Sequence, residues 1–298
     1  MDKIFQKPAF IKAAYRDVSG LRFAGEIFAF ILCFIFYVVL QSVALAAVGA
    51  DNWPISALAN AQNFTTGFGI LIALLFCRVI EKRGPRTLGF VKKGMGPEYL
   101  RGLAIGFGSF AICVLAGVAL GTVEFNGFMP NIPWGYILLF FLTYLVQGLN
   151  EEVLMRGYLM VTLTKKVPLW AAAVISSLIF SLLHLINPGA NFISVFNVFI
   201  VGFVLALFVI RRGNIWLAAG FHSAWNFTQG NIFGLSVSGN EVTDAVFNMK
   251  IAAGNPMITG GNFGMEASIV ATVFFVIVTL VMFKLKPVDL SAPVSDKF

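Results

Sequence analysis

Five charged or titratable side chains interrupt otherwise apolar stretches of this chain. Glu151, Glu152 and Arg156 lie in FLTYLVQGLNEEVLMRGYLM, and His184 and His222, its only two histidines, lie in FSLLH and HSAWN. Ionisable groups at membrane depth are costly, so such a set reads as one polar functional site. On a helix Glu152 and Arg156 are four apart, share a face and can pair, whereas Glu151 is rotated by about 100° and free to face a cavity. A carboxylate in that position can act as a general base. Phe180 stands four residues before His184, and Asn226 four after His222, so each pair shares a helix face. At about 1.5 Å per residue, Glu151 lies about 21 Å from Lys165, His184 about 27 Å from Lys166 and His222 about 15 Å from Arg212. All three depths fall within a hydrocarbon core of about 30 Å, so one shared site is geometrically reasonable.

Apolar elements must position these groups. The 298 residues are 58% hydrophobic and 12% charged, against about a quarter charged in a soluble domain, and 27–50 and 102–123 carry no charge at all. The expected fold is an all-α integral membrane protein of about eight transmembrane helices around an intramembrane active-site cavity. The spans are predicted near 23–48, 60–80, 101–123, 135–164, 168–187, 192–211, 214–230 and 266–284. With a cytoplasmic N-terminus, the alternation leaves only Lys250 among the basic residues outside, so both termini are expected in the cytoplasm. The chain divides into a cytoplasmic or interfacial segment 1–22, a polytopic domain 23–285 and a cytoplasmic tail 286–298. The first span is expected to be uncleaved. For 1–16 a surface-lying segment and a disordered tail are equally compatible readings.

Several classes lose support. The net charge of +7 sits in short clusters between apolar runs, which orients a membrane protein rather than indicating nucleic acid. Cys33, Cys77 and Cys113 are isolated within spans and read as apolar packing. No phosphate-binding glycine motif occurs, and no internal repeat of the transporter kind. Glycine spacing at Gly102 and Gly106, and at Gly117 and Gly121, suits close helix packing. Glu26 and Arg78 near span ends read as snorkelling, Trp134, Trp170 and Trp216 as an interfacial belt, and Glu266 as an acid at a helix N-terminus. The glycine- and asparagine-rich stretch 230–265 is long for a connection and could cover the site.

Glu-Glu-x3-Arg at Glu151, Glu152 and Arg156, Phe-x3-His at Phe180 and His184, and His-x3-Asn at His222 and Asn226 resemble, in order, the three motifs of the CPBP, or Abi, family of intramembrane proteases. That family includes the type II CAAX prenyl endopeptidases. The resemblance covers about 136–226. It implies that Glu151 activates a water for attack on a peptide carbonyl, with His184 holding and polarising it. It also implies that His222 and Asn226 stabilise the oxyanion, that Glu152 and Arg156 support the site from behind, and that Phe180 shapes its wall.

The implied protein is a multi-pass enzyme of a cell membrane, with the prokaryotic branch suggested by its short loops, acting on a membrane-associated peptide or protein. Glu151, His184 and His222 are also a zinc set in kind. Catalysis without a cofactor is preferred, because an asparagine in the third motif suits oxyanion binding better than zinc ligation. The competing readings are a proton-coupled transporter and a membrane peptide-binding or immunity factor that does not cut. Bacteriocin maturation or self-immunity belongs to the family's suggested roles.

Overall fold

The structure is a computed structural model that describes residues 4–15, 18–242 and 244–285; the expected tail 286–298 lies outside the described residues. In chain order its elements are α1 (Ala9–Ala14), α2 (Gly20–Ala47), α3 (Ile55–Thr65), α4 (Gly67–Val79), α5 (Met95–Ala119), β1 (Val123–Phe128), α6 (Trp134–Glu152), α7 (Met160–Leu163), α8 (Leu169–Leu183), α9 (Phe192–Arg212), α10 (Trp216–Phe227), β2 (Phe247–Ile251), α11 (Pro256–Thr259) and α12 (Ile269–Lys284).

Among the described residues, six continuous helical stretches are long and apolar enough to cross a bilayer: Gly20–Ala47, Ile55–Val79, Met95–Ala119, Trp134–Leu163, Leu169–Ile186 and Phe192–Arg212. The other two expected spans are shorter, with 16 residues in α12 and 12 in α10. Helix α10 gives way to a π-helical turn over Thr228–Ile232, where the apolar sequence passes into Thr, Gln, Gly and Asn. Large apolar side chains such as Phe28, Phe36, Leu115, Leu138 and Leu178 face outward, as a bundle solvated by lipid requires.

Helix α10 packs against α5, α6 and α9. Small residues permit this: a Cβ on Gly102 would stand 2.4 Å from the Leu217 carbonyl, and one on Gly148 would stand 2.5 Å from Ser223 Oγ. Gly106 is used in the same way, meeting the Phe221 carbonyl at 2.4 Å, whereas Gly117 packs on Met265 and Val123, and Gly121 serves a turn at φ +68. The three cysteines are buried and unpaired.

The two ends of the bundle differ. At one end Lys165 Nζ lies 2.6 Å from Glu26 Oε2 and 2.7 Å from Glu81 Oε2, and Arg83 Nε lies 3.0 Å from Glu81 Oε2. Glu98 holds Arg212 and Arg101 nearby. Apart from Arg156 and Lys250, every described Lys and Arg belongs to this end. Glu26 is therefore not snorkelling: it is 3% exposed within an ionic cluster. Trp216, expected in a belt, is buried and donates its indole N–H to the Val91 carbonyl at 2.7 Å, while Trp134 and Trp170 are exposed. Helix α1 tucks Phe10 and Ile11 into this end, and Lys7 Nζ donates to the Thr164 carbonyl at 2.8 Å.

At the opposite end β1 and β2 pair antiparallel, setting Glu124 against Lys250 and Val123 against Ile251. The fold is mostly helical, as expected of an all-α membrane protein, and this two-stranded sheet is a small addition to it. Its open edges belong outside hydrocarbon, where water can satisfy them.

Candidate active site

The motif helix does not stay regular. Helix α6 ends at Glu152 and widens into a π-helical segment over Val153–Leu159 before α7. Such bulges recur at functional sites because they re-aim side chains within a continuous helix. Here Glu152 Oε1 lies 2.8 Å from Arg156 Nη1, and both side chains are 0% exposed. Arg156 Nη2 donates to the Gly202 carbonyl of α9 at 2.8 Å, and its guanidinium stacks over Phe180 at 4.7 Å from the ring centroid. The same Glu152 oxygen lies 3.0 Å from His222 Nδ1. One sealed carboxylate thus fixes both the arginine and the histidine.

Glu151 is placed differently. Its side chain is 28% exposed, and its Oε2 lies 3.4 Å from His222 Nε2. Gln147 Nε2 donates to Glu151 Oε1 at 2.5 Å, and Asn226 Nδ2 donates to Gln147 Oε1 at 3.1 Å. His184 sits where α8 passes into a 3-10 turn over His184–Ile186, with Nδ1 2.8 Å from the Phe180 carbonyl. That carbonyl can only accept, so Nδ1 carries the hydrogen and Nε2 is left for other partners. The Phe180 ring meets His184 edge-on at 4.7 Å and His222 at 6.1 Å, which makes it the wall between them.

These groups share a cavity of about 600 Å³, lined by Gln147, Glu151, His184, His222 and Asn226 and reaching outward past Asn63 and Asn240. A second opening of about 200 Å³ runs sideways between Phe34 and Tyr37 of α2 and Leu183 of α8, and also reaches Glu151 and His184. One approach is amide-rich and the other is largely apolar.

A strap over 237–242 forms one side of the larger cavity. Asn187 Nδ2 donates to the Ser238 carbonyl at 2.9 Å, and Gly239 N–H donates to the Phe263 carbonyl at 2.8 Å. Ser238 has a left-handed φ of +48, a cost that its surroundings must hold in place. Gly239 (φ +84) leaves no room for a side chain, since a Cβ would stand 2.1 Å from the Pro188 carbonyl. Glu266 accepts the Ser238 N–H. This corrects its expected role, because the cap of α12 is Ser268, whose side chain accepts from the Ala271 N–H. Burial holds the Glu266 carboxyl above the usual carboxylate range, although the Ser238 N–H pulls it down.

The structure thus brings Glu151, Glu152, Arg156, Phe180, His184, His222 and Asn226 into one region. Gln147 was missed by sequence reasoning, although its place four residues before Glu151 puts it on the same helix face. The strap lies within the 230–265 stretch whose length suggested a cover for the site, whereas its bond to Glu266 gave no local signal, because it joins residues 28 apart. As to metal, each imidazole is held through Nδ1, to the Phe180 carbonyl in His184 and to Glu152 in His222, which leaves both Nε2 atoms toward the cavity; among the described residues no three His, Cys, Asp or Glu side chains come together as a metal-holding group.

No curated protein matches the chain. Residues 133–228, which contain all three motifs, match the family model described as type II CAAX prenyl endopeptidase Rce1-like. Over these residues the chain is similar to that peptidase family, in line with the resemblance of its motifs.

Proposed function

We propose that this protein is an intramembrane endopeptidase that cuts a membrane-associated peptide with a water activated by Glu151. The observation that carries the reading is the contrast between the two acids: Glu152 is sealed against Arg156 and His222, while Glu151 opens on the cavity beside His184 and His222. Glu151 would take a proton from a water as its oxygen adds to the scissile carbonyl, with His184 Nε2 helping to hold that water. The oxyanion would receive donors from His222 Nε2–H, in an imidazolium flanked by Glu151 and Glu152, and from the Asn226 amide. Collapse would break the C–N bond as Glu151 returns its proton to the leaving nitrogen. A lateral apolar opening beside an amide-lined cavity suits a substrate anchored in the bilayer.

The test is cleavage of a quenched, membrane-anchored peptide by purified protein. Activity should persist after exhaustive chelation, and Asn226→Ala should lower kcat by about 10²–10³ with little change in KM. Loss of activity with chelator, restored by one equivalent of zinc, would replace the glutamate-water mechanism with a metal-dependent one. Unchanged turnover by Glu151→Gln would overturn the peptidase assignment of this site.

A further inference from the structure

His184 stands where the helix that carries it has ended. Helix α8 stops at Leu183, and only the short 3-10 turn His184–Ile186 follows. Leu182, Leu183 and Leu185 are exposed and Ile186 is 89% exposed, so little packing holds this end of the helix. The contact of Nδ1 with the Phe180 carbonyl sets the ring against α8 but does not fix the turn itself. The turn is tied instead to two distant stretches. Asn187 Nδ2 donates to the Ser238 carbonyl at 2.9 Å, and Gly239 leaves no room for a Cβ against the Pro188 carbonyl. Gly189 has φ +73, and a Cβ on it would stand 2.8 Å from Phe263 N, while Gly239 N–H donates to the Phe263 carbonyl at 2.8 Å. Residues 187–189, 238–239 and 262–263 therefore interlock.

Glu266 closes this interlock by accepting the Ser238 N–H, which binds the strap to the segment ahead of α12. Helix α9 anchors Glu266 in turn: Asn197 Nδ2 donates to the Glu266 and Ser268 carbonyls at 2.9 Å each, and Asn197 Oδ1 accepts from Thr272 Oγ1 at 2.7 Å. Glu266 and His184 also border one small cavity of about 30 Å³. We propose that Glu266, which lies outside the matched residues 133–228, is a positioning residue for His184: it locks the strap, and the strap locks the end of α8. Loosening the strap should misplace this imidazole and leave His222, held by Glu152 inside the bundle, where it is. The consequence for turnover rests on the endopeptidase reading; the placement of the ring does not.

The chain has two histidines, so histidine-selective nitrogen NMR of the untagged protein resolves two imidazoles, and the one lost in His184→Gln is His184. In wild-type protein it should show the Nδ1–H tautomer alone. Glu266→Ala should shift this signal toward a mixture of tautomers and leave that of His222 unchanged. Glu266→Gln, which keeps an oxygen for the Ser238 N–H, should restore it. Asn187→Ala cuts the strap from the end of α8 with Glu266 intact and should reproduce the shift, which keeps the test open should Glu266→Ala not fold. Cleavage of the anchored, quenched peptide should follow, with kcat about ten- to hundredfold lower in Glu266→Ala and Asn187→Ala and recovered in Glu266→Gln. An unmoved His184 signal, equal shifts in both histidines, or no rescue by Glu266→Gln would overturn the inference. So would a rise in KM alone with the His184 signal intact, since the strap would then shape only the substrate cavity. A moved signal with full kcat would keep the placement and remove His184 from the proposed chemistry. If wild-type protein cuts no peptide, the endopeptidase reading fails and the two histidine signals alone decide the inference.

Discussion

Glu151 and Glu152 are adjacent and chemically identical, yet one is 28% exposed on a cavity and the other 0% exposed between Arg156 and His222. Their substitutions should therefore fail in different ways. Glu152→Gln removes the charge that compensates Arg156, and breaking a buried pair costs about 3–5 kcal/mol, so its Tm should fall clearly. Glu151→Gln should keep the wild-type Tm and lose turnover. Matching Tm values together with matching activity losses in the two variants would refute this division of labour. Gln147→Met keeps chain length but removes the amide that joins Glu151 to Asn226; misplacing a reacting group can cost up to about a hundredfold, and the loss should appear in kcat rather than KM. The motif residues were legible in the sequence because charge is rare in apolar runs. Gln147 was not, since a glutamine in a membrane helix attracts no comparable notice, and only the fold shows Asn226 meeting it from α10.

At the scale of elements, the helices could be read from their apolar runs, and their packing from glycine spacing. Gly102→Leu should disrupt the bundle, because even a Cβ there would stand 2.4 Å from the Leu217 carbonyl. The π-helical segments and the β1–β2 pair could not be read in this way, since a bulge depends on what the helix packs against and the strands come from distant parts of the chain. The ionic cluster that ties α2 to the α4–α5 connection and the end of α7 was equally hidden, its partners being residues 139 and 84 positions apart. Burial pushes the Glu81 carboxyl up, but Arg83 and Lys165 outweigh it and hold it below the usual carboxylate range. A depressed carboxylate contributes stability that is present above its unfolded value, about 4.3, and lost as pH falls through its folded value. Wild-type Tm should therefore drop as pH is lowered from about 5 to 3. Glu81→Gln, already weakened at neutral pH, should show a shallower decline; equal slopes would mean that Glu81 does not carry this acid sensitivity.

For the whole molecule, the segregation of charge is the property that sequence and fold express together. Basic residues that are scattered along the chain gather at one end of the bundle, while the sheet, the strap and the mouth of the cavity occupy the other. If the basic end faces the cytoplasm, as expected from the inside bias of Lys and Arg, the cavity mouth would open to the outer side. Cysteine labelling in intact cells tests this directly, because Cys33, Cys77 and Cys113 are buried and should contribute little background. Lys250→Cys on β2 and Glu241→Cys at the exposed tip of the strap should react with a membrane-impermeant maleimide from outside. Lys93→Cys, in the exposed connection before α5, should react only after permeabilisation. Labelling of residue 93 from outside, with residue 250 protected, would invert the orientation and direct the cavity to the cytoplasm. Labelling of 250 but not 241 would keep the orientation and show instead that the strap is covered in the cell.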